Sequence, residues 1–120
     1  DGTLRRLDRA DGCQLAWGPG GSLVWVSGGG RGKNRFLHLP DGAAEPLPFL
    51  DLPGEFSHEY FPRFSNDGRF LVFAASTGGH EHDRADYEIF LWEFGRPAEA
   101  ALRISHHSGN DQWPDLWVEP

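Results

Sequence analysis

The sequence predicts an all-β fold, and two observations carry that expectation. Sixteen glycines and nine prolines in 120 residues punctuate short runs of aromatic and β-branched residues, and no stretch sustains a 3.6-residue apolar period. Turn-rich segments without helical periodicity are the pattern of packed strands. The second observation is an internal repeat. Trp17–Val26 superposes on Phe64–Phe73 at an offset of 47 residues, Phe36–Gly42 on Ile89–Gly95 at 53, and Pro62 recurs as Pro114 at 52.

Each repeat reads as four short strands, and the best defined lie in Phe61–Ser76. There Asn66-Asp67-Gly68 reads as a tight turn made of residues that tolerate positive φ. The unbroken run Phe70–Phe73 after it predicts a strand buried on both faces. In chain order, residues 3–8 form a lone outer strand. The first complete unit, 14–50, has strand A at 14–17, B at 22–26, C at 34–39 and D at 45–50. The second, 62–105, has A at 62–65, B at 69–75, C at 87–94 and D at 101–105, with six inserted residues relative to the first. Residues 113–118 form a lone inner strand. Pro46 and Pro48 suit an outermost strand, where a missing N–H removes no interior ladder bond.

Four-stranded antiparallel units repeating near every 50 residues have the spacing of β-propeller blades. The expected fold is therefore two complete blades plus an orphan strand at each end. A blade has two apolar faces, and both need neighbours. The chain is thus expected to be a slice of a longer propeller, or a unit completed by other copies of itself.

The order Pro62-x-Phe64-Ser65-x-Asp67-Gly68, apolar strand, gap, Tyr87-x-Ile89-Phe90 resembles the WD40-like propeller repeat of the TolB family. The first unit departs from it, with Gly18-Pro19-Gly20-Gly21 in place of Ser-x-Asp-Gly. The resemblance implies protein or peptide binding in or near the bacterial periplasm, or outside the cell. Similar propellers also cap the active site of prolyl-oligopeptidase-like peptidases, and others are metal-dependent lactonases. Both remain alternatives.

A net charge of −7 fits poorly with nucleic-acid binding, which needs clustered Lys and Arg; only Arg31–Arg35 is basic. The single cysteine, Cys13, excludes an internal disulfide. No apolar run is long enough to span a membrane as a helix. The chain opens on Asp1-Gly2-Thr3 with no signal-peptide pattern. Gly28–Lys33 is not a phosphate loop, because Ser27 stands where the first glycine belongs and no helix follows. A Gly-x-Ser-x-Gly nucleophile motif is absent, so no hydrolase domain is visible. We therefore expect no catalytic residue in this chain.

Alternating strand direction sorts the loops onto two ends. The turns 18–21, 40–42, 66–68 and 95–97 share one end, and the longer connections 28–33, 51–61, 77–85 and 106–113 share the other. Five of six histidines fall in the long set, with several acids, and function concentrates on long loops held by a rigid scaffold. His58, Glu59, Tyr60, His106, His107, Asp111 and Trp113 are the expected ligand-binding residues. Glu59 and Asp111 both lie three residues before the repeated proline. His80, His82, Asp83 and Asp86 are candidate ligands for a divalent cation, since imidazole and carboxylate suit zinc or nickel. The aromatic residues Trp17, Trp25, Phe64, Phe73 and Trp92 are expected in the core.

The function expected is a non-catalytic binding module that presents a His- and carboxylate-rich loop face to a protein or peptide.

Overall fold

The computed structural model describes residues 12–31, 33–78 and 84–120. Its strands are β1 (Cys13–Trp17), β2 (Leu23–Gly28), β3 (Asn34–Leu39), β4 (Leu47–Leu50), β5 (His58–Phe64), β6 (Phe70–Ser76), β7 (Tyr87–Glu93) and β8 (Leu102–Arg103). They make two four-stranded antiparallel sheets in sequential order, β1-β2-β3-β4 and β5-β6-β7-β8. The only helical segments among the described residues are two three-residue 3-10 turns, at Pro19–Gly21 and Ala98–Ala100. The expected outer strand at 3–8 lies outside the described residues. Residues 113–118, the expected lone inner strand, join no ladder among the described residues; Val118 is held by two hydrogen bonds with the Asn66 side chain, at 2.7 and 3.1 Å.

The hairpin turn between β5 and β6 differs from the expected one. Of Asn66, Asp67 and Gly68, only Gly68 takes positive φ, at 73°. Asp67 acts through its carboxylate, which accepts the Ser65 hydroxyl at 2.6 Å and the Arg69 N–H at 3.0 Å. Ser65 in turn accepts the Phe70 N–H at 3.0 Å, so side-chain oxygens close the turn.

β6 is buried along nearly its whole length, as the Phe70–Phe73 run predicted. β5 begins at His58, four residues before the expected start, because its pairing with β6 continues from Arg63–Val72 through Tyr60–Ala74 to His58–Ser76. β4 and β8 are shorter than expected, at four and two residues.

The first strand of each sheet, β1 and β5, contains a β-bulge at the same place. Between the pairs Cys13–Val26 and Ala16–Val24 the first strand carries one residue more than its partner, and the same holds between Tyr60–Ala74 and Arg63–Val72. The extra residue is accommodated by positive φ at Gln14 (52°) and Phe61 (57°). Trp113, one repeat later, has φ 58°. Pro62 sits in the bulge, where the ladder is interrupted and a missing N–H is tolerated.

Ladder position corrects the repeat alignment. Trp17 pairs with Leu23 and Phe64 with Leu71, so Leu23–Val26 correspond to Leu71–Ala74 at an offset of 48 rather than 47. The second hairpin turn is one residue longer than the first. The remaining five inserted residues fall in the connection from β6 to β7, after which Phe36 matches Ile89 at 53, as the sequence indicated. A one-residue shift in a strand exchanges its faces, so this correction decides how the sheets stack.

Directly paired residues share a face. The first sheet turns Val24, Val26, Phe36 and His38 toward the second, with Phe36 edge-on to Phe73 at 5.3 Å and His38 against Phe94 at 6.2 Å. The second sheet meets it with Leu71, Phe73, Phe90 and Trp92; Phe49, at the irregularity between β3 and β4, packs edge-on to Trp92 at 5.1 Å. At the corrected alignment, the first sheet's inward face corresponds to Val72, Ala74, Ile89 and Leu91, which point away from it. The two sheets therefore pack head to tail, the same face of each turned in the same sense. One apolar cluster joins both sheets. Phe73 and Trp92 are buried there, and Phe64 packs against it; Trp25, paired with Leu37, is buried too but is not part of this cluster. Trp17 is not in this core: it is 72 % exposed at the rim of the first turn, where flanking Gly18, Pro19 and Gly20 provide no wall of side chains.

Candidate functional site

The three non-glycine residues with positive φ among the described residues converge. Gln14 and Leu15, Phe61–Arg63, and Trp113–Asp115 together line one cavity of about 310 Å3 beside β1 and β5. This volume is at the low end of pockets that hold small ligands. Each bulge turns its residue out of the ladder toward the neighbouring repeat. The Gln14 side-chain oxygen accepts the Phe61 N–H at 2.6 Å, tying the first inner strand to the second. The Phe61 ring then meets the Trp113 ring at 4.3 Å. Phe61 also packs on Tyr87 and Tyr60, which anchors the cavity floor in the core. Trp113 stands at the rim, 71 % exposed, and Arg63 and Asp115 are exposed beside it. Residues held in the left-handed region without being glycine are costly, about 1–3 kcal/mol each, and such strain collects at binding sites.

The expected ligand-binding residues separate into three groups. Trp113 lies on this cavity. His58, Glu59 and Tyr60 do not reach a loop surface: all three are buried strand residues of β5, paired with Ser76, Ala75 and Ala74. Glu59 is 0 % exposed. One of its oxygens accepts the Leu52 N–H at 2.7 Å, fastening the connection that crosses from the first sheet, and Oε2 has no hydrogen-bond partner among the described residues. Burial pushes its carboxyl up to about 7; the Leu52 N–H opposes that rise and the nearby Asp51 adds to it.

The third group is His106, His107 and Asp111, which brace their own loop. His106 Nε2 lies 3.1 Å from the Arg103 carbonyl oxygen. His107 Nδ1 accepts the Gly109 N–H at 2.7 Å, which leaves the ring proton on Nε2, 3.0 Å from Asp111 Oδ1. The Asp111 N–H donates to the Tyr87 carbonyl at 2.9 Å, joining the loop to β7. His107, engaged at both ring nitrogens, and His106, engaged at Nε2, act as loop struts.

Of the candidate cation ligands, His80, His82 and Asp83 lie outside the described residues. Asp86 is described and exposed. No group of three or more His, Cys, Asp or Glu side chains suited to a metal ion occurs among the described residues.

Beyond the hairpin ends, one further acidic cluster is structural. Burial alone raises the Glu88 carboxyl, but the Ser105 hydroxyl and the Arg103 guanidinium hold it below the usual range. Arg103 also lies over the Phe56 ring at 4.9 Å. The group fastens β8 to β7.

Sequence reasoning missed Gln14, Leu15, Arg63 and Asp115. The signal available was the recurrence of Pro62 as Pro114 within predicted strands, since proline inside a strand marks an edge or a bulge. Reading one residue back from each proline, and 47 residues back from Phe61, gives the three converging positions. Neither a family model, nor a curated protein, nor a solved structure matches this chain.

Proposed function

We propose that the chain is part of a TolB-like β-propeller, its two sheets two adjacent blades, and that it is a non-catalytic module binding a protein or peptide at the mouth formed by the inner strands. The single observation that carries this reading is the recurrence of a left-handed, non-glycine residue at three successive repeats, in a bulge at Gln14 and at Phe61 and again at Trp113, with all three lining one cavity. Head-to-tail stacking supports the propeller part, because an interface of this kind propagates and closes into a ring when the rotation between units allows. The remaining blades come from a longer chain or from further copies of this one. An open cavity with an aromatic rim, an arginine and a carboxylate has the composition of a protein-recognition surface. The bound partner lies at the cavity, not on the histidine loops.

Selection from a displayed peptide library tests the reading. Peptides enriched on the wild-type protein are expected to lose binding to an Arg63→Glu, Trp113→Ala double variant. Peptides enriched equally on both proteins overturn the assignment of the mouth as the binding site.

A further inference from the structure

We infer that the open face of the second sheet docks a second copy of this chain, which presents the outward face of its own first sheet. The inference rests on the two sheets being stacked head to tail. Inside the molecule, Phe36 of the first sheet packs on Phe73 of the second, and His38 on Phe94. The chain has one further face of each kind. On the second sheet, Ile89 and Ile104 stand where Phe36 and Leu50 stand on the first, and Ile104 is exposed. On the first sheet, Trp25, Leu37 and Leu39 stand where Phe73, Phe90 and Trp92 stand on the second. Trp25, on β2, is buried, whereas Leu37 and Leu39, on β3, are half-buried. Each face is therefore more open toward its outer strands, so the two openings match when the internal contact is repeated.

Charge selects the same occupant. One salt bridge spans the internal contact, between Arg31 and Glu99 at 3.0 Å. Arg31 stands three residues before β3, and Glu99 three residues before β8. The other two faces carry these charges at corresponding places. Arg84 stands three residues before β7, Glu45 stands two residues before β4, and both are exposed. A second copy arriving in the register of the internal contact brings its Glu45 to Arg84. An exposed pair adds little affinity, but it steers approach and fixes register.

Residues 113–118 oppose this docking. Gln14, Phe61 and Trp113 follow one another at successive repeats around one cavity, so 113–118 lie beside β5 as β5 lies beside β1. That is the place β1 of the incoming copy takes. The segment joins no ladder among the described residues; the Trp113 ring rests on Phe61 at one end, and Val118 is bonded to the Asn66 side chain at the other. A segment held by so few bonds opens at small cost, and docking displaces it. It is a strap that limits self-association, and Asn66 is its latch. Because the contact joins unlike faces, association continues past a dimer unless a ring closes.

Sedimentation velocity of the full chain over a range of concentrations tests this, with circular dichroism confirming the fold of each variant. Asn66→Ala removes both bonds to Val118 and is expected to tighten association by about threefold or more. Trp113→Ala, which frees the other end, is expected to act in the same direction. Arg84→Glu and Glu45→Arg are each expected to weaken association by roughly three- to tenfold, and an equimolar mixture of the two to restore it. Association that neither reversal weakens, or that the mixture does not restore, overturns the docking register. Equal association in wild type, Asn66→Ala and Trp113→Ala overturns the strap. A monomer at every concentration for all three overturns the inference and leaves the peptide-binding mouth standing.

Discussion

The inward face of the first sheet and the same face of the second are built alike and sit in opposite surroundings. Phe36, His38 and Leu50 on the first correspond to Ile89, Leu91 and Ile104 on the second, by ladder position and by the Ile104 N–H bond to the Ile89 carbonyl at 2.8 Å. Leu50 is 2 % exposed beneath the second sheet, whereas Ile104 is 55 % exposed. Part of the second face is covered: Val72 and Ala74, nearest the inner strand, are buried. Farther out, Leu102 and Ile104 face solvent. The difference teaches that burial in this molecule comes from the neighbouring repeat rather than from the sheet itself. A four-stranded sheet two side chains thick has no interior of its own, so stability is set mainly at the interfaces between units.

The largest expected effect tests that statement directly. Leu50→Ala removes side-chain contacts from a closed interface and is expected to cost about 2–5 kcal/mol. Ile104→Ala, at the corresponding open position, is expected to cost under about 1 kcal/mol. Urea unfolding of both variants measures the pair. Similar costs would break the comparison, and would mean that the second face is covered in solution by something that shields Ile104.

A smaller effect concerns the carboxylates that mark the same contrast. Glu59 is enclosed where the first sheet's connection crosses to the second, and its repeat counterpart Asp111 is half-buried at the open side and paired with His107. The Glu59 carboxyl, near 7 when folded and near 4.5 when unfolded, holds a proton in the folded state that the unfolded chain releases between those values. Stability is therefore greatest below about pH 4.5 as far as this group is concerned, declines as pH rises toward 7, and is level above, with a span on the order of 3 kcal/mol. Glu59→Gln keeps an oxygen for Leu52 and abolishes the titration. Thermal melts between pH 5 and 8 should slope downward for the wild type relative to the variant. Parallel curves for the two proteins would show that Glu59 is charged in the fold and compensated.

The comparison also sorts what the sequence could and could not reveal. Periodicity and turn residues suffice for the β-sheet class and for the order of strands, because alternation and chain punctuation are local properties. β3 matches its predicted limits at Asn34–Leu39, bounded by the Gly-rich connection before it and Pro40 after it. Face assignment was not legible across the β5–β6 hairpin, where a single additional turn residue exchanges the faces of β6 and no composition signal marks it. Glu59 and His58 look like loop residues by chemistry alone. They are strand residues because the ladder with β6 runs past the bulge, a decision made by pairing partners 16 and 18 residues away in sequence. Of the cavity, Trp113 was legible as an expected ligand-binding residue; the rest was visible only as a recurring proline, whose meaning depends on the bulge around it.

The smallest expected effects lie at the two joints between successive inner strands. At the closed joint, Gln14 accepts the N–H of buried Phe61, and Gln14→Ala leaves that donor without its partner, at a cost of about 1–2 kcal/mol. At the open joint, Trp113 touches Phe61 by its ring but remains largely in solvent, so Trp113→Ala removes little buried area and is expected to cost about 0.5 kcal/mol. That ordering reverses the usual one, in which truncating a tryptophan costs more than truncating a glutamine. It follows from position: Gln14 closes an interface that exists between two sheets, and Trp113 stands at an interface with one side only. Measured by urea unfolding at one pH, a cost for Trp113→Ala equal to or above that of Gln14→Ala would show that the left-handed residue at Trp113 is held in place by packing, as the two bulges are. A cost near zero, combined with loss of peptide binding, identifies an aromatic side chain held at the rim by a strained backbone for recognition, with no part in holding the sheets together.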